Sequence, residues 1–193
     1  MAGRRAAAGL VLAGAALTAS GCLGGGAKTV TVTHTQTVTS TRTVTTTGSV
    51  SSAHPCLGSD LSGMFVAVPG SAGAGQIAYS LTVKNTSSSP CSVHGVPQAT
   101  LLGTSGTPLP THIKASGGSR GIVLPPGASA TAQARFSPDV AGDGDSQTGS
   151  CQPTAHTLQV TAGGGGVTEV PIKPPTSVCE QGTLNFEAFA YAG

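Results

Sequence analysis

Several groups of residues in this chain have the types and spacing that chemistry uses. GGSRG, residues 117 to 121, satisfies G-x-S-x-G with Ser119 at its centre. A nucleophile elbow works because a strand feeds a strained turn that opens a helix and exposes the serine. Ser119 instead runs into GIVL, which reads as a strand, so an ordinary turn is expected there. His94, His112 and His156 could act as bases, and Asp139, Asp143 and Asp145 could supply carboxylates. A triad also needs an oxyanion site and a pocket, and the sequence specifies neither, so no catalytic residue is assigned.

DVAGDGDSQTGS gathers Asp139, Asp143 and Asp145 in one segment. It lacks the spaced D-x-D-x-D-G pattern closed by a bidentate Glu that calcium loops use, and it reads as a solvated loop. The histidines are dispersed, so no metal site and no cofactor is expected. Asn85-Thr86-Ser87 fits the N-glycosylation sequon and reads as the start of a hairpin turn. Cys56, Cys91, Cys151 and Cys179 lack the short C-x-x-C or H-x(3–5)-H spacing of zinc sites. In an exported chain they read as a disulfide framework, and four cysteines allow three connectivities.

Export is indicated at the N-terminus. Arg4 and Arg5 precede the uncharged run AAAGLVLAGAALTA, an n-region followed by an h-region. A bilayer span needs roughly 20 predominantly apolar residues, whereas this run passes into the glycine-rich SGCLGGGAK. LTASGC resembles the lipobox of bacterial lipoproteins, with Ala19 where that motif favours leucine. The resemblance implies cleavage after Gly21 and attachment of diacylglycerol, with acyl chains such as palmitate, at Cys22. Residues 1–21 are therefore expected to be a lipoprotein signal peptide.

With Arg4 and Arg5 removed, Lys plus Arg falls from 9 to equal the 7 Asp plus Glu. Nucleic-acid binding draws on clustered Lys and Arg, and Lys84, Lys114, Arg120, Arg135 and Lys173 are scattered. The absence of Trp leaves few stacking platforms. Nucleic acid is not an expected partner.

Residues 22–55 read as the lipidated cysteine and a disordered Thr/Ser-rich stalk. TVTVTHTQTVTSTRTVT, residues 29 to 45, exceeds ordinary strand length and has no consistently apolar face. Its β-branched residues favour extended dihedrals, so a stalk of about 32 residues reaches roughly 100 Å when fully extended. Thr/Ser runs of this kind are also O-glycosylation substrates.

From Cys56 to Gly193 the patterning has period two. QIAYSLTVKN turns Ile77, Tyr79, Leu81 and Val83 to one side, and further strands are expected over 64–68, 98–102, 121–124, 129–136, 157–161, 167–172 and 183–191. NTSSSP, GTSGTP, PPG and GGGG supply turns. About eight short strands at such spacing predict an all-β antiparallel β-sandwich. Ala128, Ala130, Ala132 and Ala134 alternate toward Phe136, so that strand either packs closely on something bulky or leaves an alanine face outside.

NTSSSPCSVHGVPQATLLGTSG and VLPPGASATAQARF, with Cys56 before them and Cys151 and Cys179 after, resemble the actinobacterial exported lipoproteins of the domain of unknown function 4232 family. The resemblance covers Cys56 to Tyr191. It implies an immunoglobulin-like sandwich behind a lipobox and a linker, with Cys56 paired to Cys91 and Cys151 to Cys179, and it lends no activity. The expectation is an extracytoplasmic protein, lipid-anchored to the cell membrane. It would present a non-catalytic recognition module to an envelope protein or glycan. The alternative is an envelope enzyme whose site is assembled from dispersed histidines and acidic residues.

Overall fold

The computed structural model describes residues 53–193; the signal peptide, Cys22 and the stalk as far as Ser52 lie outside the described residues. The strands are β1 (Leu61–Ala67), β2 (Ile77–Asn85), β3 (Cys91–His94), β4 (Gln98–Leu102), β5 (His112–Ser116), β6 (Gly121–Leu124), β7 (Ser129–Phe136), β8 (Ala155–Thr161), β9 (Val167–Thr176), β10 (Thr183–Glu187) and β11 (Ala190–Tyr191). The class is all-β, as period two requires.

Strands follow the order β4-β8-β9-β1-β2-β7-β10-β5, with β11 also on β7, while β3 and β6 form a separate pair. The first half of β9 lies antiparallel to β8, with Leu158 opposite Val170. Its continuation runs parallel to β1, with Phe65 opposite Ile172. One strand thus joins two ladders, and side chains from both ladders meet in a single core.

The expectation of purely antiparallel pairing is corrected here. β1 and β9 are parallel, and so are β5 and β10, from Thr183 opposite His112 to Glu187 opposite Ser116. Alternating burial depends only on the pleat, so it carries no information about the direction of a neighbour. Direction comes from the connections: β6 to β9 intervene between β5 and β10, as a parallel crossover requires.

β7 resolves the alanine question in favour of close packing. Ala130, Ala132 and Ala134 are buried, and their cross-strand partners on β2 are Val83, Leu81 and Tyr79. The small side chains leave room for the aromatic centre of the core. Tyr79 stands with its ring centroid 5.1 Å from Phe65 and 5.2 Å from Phe136, and Phe186 is 5.9 Å from Phe65. Tilted pairs at such distances are each worth about 0.5–1.5 kcal/mol beyond simple burial.

Asn85, at the end of β2, is fully buried. Its Nδ2 donates to the Ser89 carbonyl (2.8 Å) and the Leu124 carbonyl (2.9 Å). Its Oδ1 accepts from the Ser87 N–H (2.9 Å) and the Ser87 hydroxyl (2.8 Å). An amide has two donor hydrogens and two acceptor lone pairs, so this side chain is saturated. It closes the 86–90 turn and fastens β2 to β6. The disulfide from Cys56 to Cys91 anchors the start of the domain to β3 a few residues further on. Cys151 is joined to Cys179. Both bonds follow the pairing that the family resemblance implies.

Two of these features yield measurable costs. Asn85→Ala leaves the Leu124 carbonyl buried without its donor, and urea unfolding should show a loss of about 2 kcal/mol or more. Replacing both Cys56 and Cys91 by Ala opens a loop of sequence separation 35, and the same measurement should show a loss of about 3 to 4 kcal/mol.

Candidate ligand pocket and the acidic clamp

At one end of the domain several strands terminate around a half-open cleft. Leu61 at the start of β1, Val83 near the end of β2, Val93 at the end of β3 and Val160 at the end of β8 form its walls. Val96 and Phe189, both half-buried, close its sides. The Phe189 N–H donates to the Gly95 carbonyl at 2.9 Å, which fixes the 95–97 link against the segment between β10 and β11. The enclosed space is about 130 Å³. Polar side chains come only from the exposed residues His94, Gln98 and Thr161, and no Asp or Glu lines the cleft.

His94 is held in place from beneath. A methyl group at Gly121, its register partner on β6, would lie 2.5 Å from His94 Cδ2 and 2.7 Å from Nε2, so the imidazole rests on bare backbone. The GGSRG turn is nearby, because the Gly95 N–H donates to the Arg120 carbonyl at 3.3 Å. Ser119 nevertheless leads into a strand, and the strand-to-helix elbow is missing here. His112 begins the exposed strand β5 and His156 lies on β8; neither lines the cleft. Among the described residues the histidines remain dispersed, and His94 is the one that lines this cleft.

The acidic segment differs from its expected form. Asp139 and Asp143 are exposed, but Asp145 is buried. Its Oδ1 accepts from Gln152 Nε2 (2.7 Å) and the Gln181 N–H (2.8 Å). Its Oδ2 accepts from the Gly142 N–H (2.8 Å) and the Glu180 N–H. Glu180, Gln181 and Gly182 have φ of 53°, 54° and 77°, a run of left-handed residues. L residues adopt that conformation at a cost of roughly 1–2 kcal/mol each, and the carboxylate offsets the cost by accepting two of the N–H groups such a turn presents. Gly182 has no alternative, since a Cβ there would lie 1.8 Å from the Pro110 carbonyl oxygen.

The Cys151 and Cys179 sulfurs lie near this carboxylate, but they are bonded to each other. Together the disulfide and Asp145 clamp the 142–152 loop to the turn that launches β10. Nothing in the spacing of the acidic residues distinguished Asp145 from its exposed neighbours. The signal would have been the left-handed turn, which is encoded only in part, by Gly182.

Hydrogen bonding, above all from Gln152 and then from the backbone N–H groups, lowers the Asp145 pKa from 3.8 to about 2. A depressed carboxylate stabilises the fold above its unfolded pKa and loses that contribution as pH falls through the folded value. Thermal midpoints measured by circular dichroism should therefore drop between about pH 4 and about pH 2. Asp145→Asn should lower the midpoint at neutral pH, because its amide would set N–H groups against N–H donors. It should also flatten the dependence within that acid window.

Residues 56–190 match the family model described as Domain of unknown function (DUF4232). No curated protein and no solved structure matches the chain.

Proposed function

The chain belongs to the domain of unknown function 4232 family, and on that premise we propose that it is a lipid-anchored cell-envelope protein presenting a non-catalytic β recognition module. In this reading Cys22 carries the lipid and the Thr-rich segment after it forms the stalk, which ends before the expected residue 55, because the Ala53 and His54 carbonyls already accept from Ser92 of β3. The domain works outside the cytoplasm on an envelope protein or glycan. The observation that carries the recognition role is the cleft at the end of the domain: apolar walls, a polar rim and no carboxylate to orient a catalytic histidine. Such clefts bind through shape and a few placed polar groups, while triad chemistry needs an oriented base. Two disulfides suit an oxidising compartment. The family's immunoglobulin-like sandwich is also part of this proposal. It is supported by two ladders that share β9 and face one core, and the two parallel pairings are its local departures.

Two measurements test the reading. Mass spectrometry of the membrane-extracted protein should find diacylglyceryl-modified Cys22 at the N-terminus, and Cys22→Ala should release the protein with its domain folded. An unmodified or uncleaved N-terminus defeats the anchoring. Capture from envelope extract by the full chain should yield a specific partner that is retained when His112 and His156 are each changed to Ala. Turnover of an envelope substrate that is abolished by His94→Ala in a folded protein would establish the enzyme instead.

A further inference from the structure

We propose that the end cleft is a small-molecule site for a compact apolar group of about six heavy atoms bearing one hydroxyl, a monocyclic phenol being the type case. This deepens the recognition reading and rests on it. Size sets the first limit. A dry apolar cavity of about 150 Å³ accommodates benzene, and this cleft encloses about 130 Å³ behind Leu61, Val83, Val93 and Val160. Because the cleft is half-open, that space bounds the part of a ligand that can be buried, and a long acyl chain would leave most of its length outside.

Polarity sets the second limit. The inner walls offer no side-chain hydrogen-bonding group, so the buried end of the ligand must be apolar to avoid an unpaired polar atom. The mouth carries His94, Gln98 and Thr161. A neutral imidazole presents one donor and one acceptor, which a hydroxyl, itself donor and acceptor, can match. Gly121 makes His94 the specificity-determining residue: its missing Cβ leaves the space that the Cδ2–Nε2 edge of the ring occupies, so any side chain there would displace the imidazole. Gly121 is outside the left-handed region, so alanine there leaves the backbone unstrained, and the nearest atoms it meets are those of the movable imidazole.

The test is an NMR titration of the full chain with phenol, benzene and decanoate. Phenol and benzene should both shift the methyl resonances of Val83, Val93, Val96 and Val160. Ala162→Phe, which places a ring at the edge of the cleft, should remove both responses. Gly121→Ala should weaken phenol about tenfold, the scale of one lost hydrogen bond, and leave benzene nearly unchanged. The Gly121 result keeps the proposal decidable if Ala162→Phe proves unstable.

Absence of methyl shifts with phenol and benzene overturns the site. Decanoate displacing phenol overturns the size class. Equal loss of phenol and benzene binding in Gly121→Ala overturns the role of His94. Capture of an envelope partner that phenol does not displace and Ala162→Phe does not weaken, together with absent phenol shifts, would sink this proposal while leaving the recognition module standing.

Discussion

The double pairing of β9 is the constraint on which the rest of the domain depends. Val170 faces the core while its strand is bonded to β8, and two residues later Ile172 faces the same core beside Phe65 of β1. A third tie reinforces the crossing, since the buried Thr168 hydroxyl donates to the Leu61 carbonyl at 3.0 Å. Without this strand the two ladders would each expose an apolar face. With it they enclose Phe65, Tyr79, Phe136 and Phe186, and the alanines of β7 let those rings settle close to the sheet.

In a chain with few charged and aromatic residues, buried polar groups hold two of the described loops. Asn85 and Asp145 play equivalent parts at different places. Each directs all its hydrogen-bonding capacity at backbone or neighbouring side chains, and each stands near a disulfide in the chain or in space. Among the described residues no buried side-chain nitrogen or oxygen lacks a partner. Burying a polar group unsatisfied is costly, so these two loops have little freedom to rearrange. The end cleft is lined by strand termini on the Asn85 side of the domain, where its wall residue Leu61 pairs with Asn85.

Much of the fold was legible because burial imposes a period. β2, β7 and the first part of β9 show the alternation that their sequences announce. β3 and β5 were not legible for opposite reasons. Cys91, Ser92 and Val93 are buried in succession, while β5 is mostly exposed and borders the sheet, so neither alternates. The expected strand over 183–191 is interrupted at Ala188 and Phe189, where Phe189 turns to bond Gly95. The cleft itself draws on residues from β1, β2, β3, β8 and the segment after β10. Only the three-dimensional arrangement brings them together, and His94 could be named as a candidate from sequence but not separated from His112 and His156.

Asn85 has a consequence for producing this protein. Asn85-Thr86-Ser87 is an acceptor triplet for oligosaccharyltransferase, which modifies chains as they emerge, before they fold. In the finished domain the amide of Asn85 is fully buried and both its hydrogens are engaged. A glycan attached there could not be accommodated inside β2, the 86–90 turn and β6. Production through a eukaryotic secretory pathway would set sugar transfer against closure of the core, and the modified fraction would be lost to quality control. A bacterial periplasm, which oxidises the cysteines without transferring that sugar, is the compatible host.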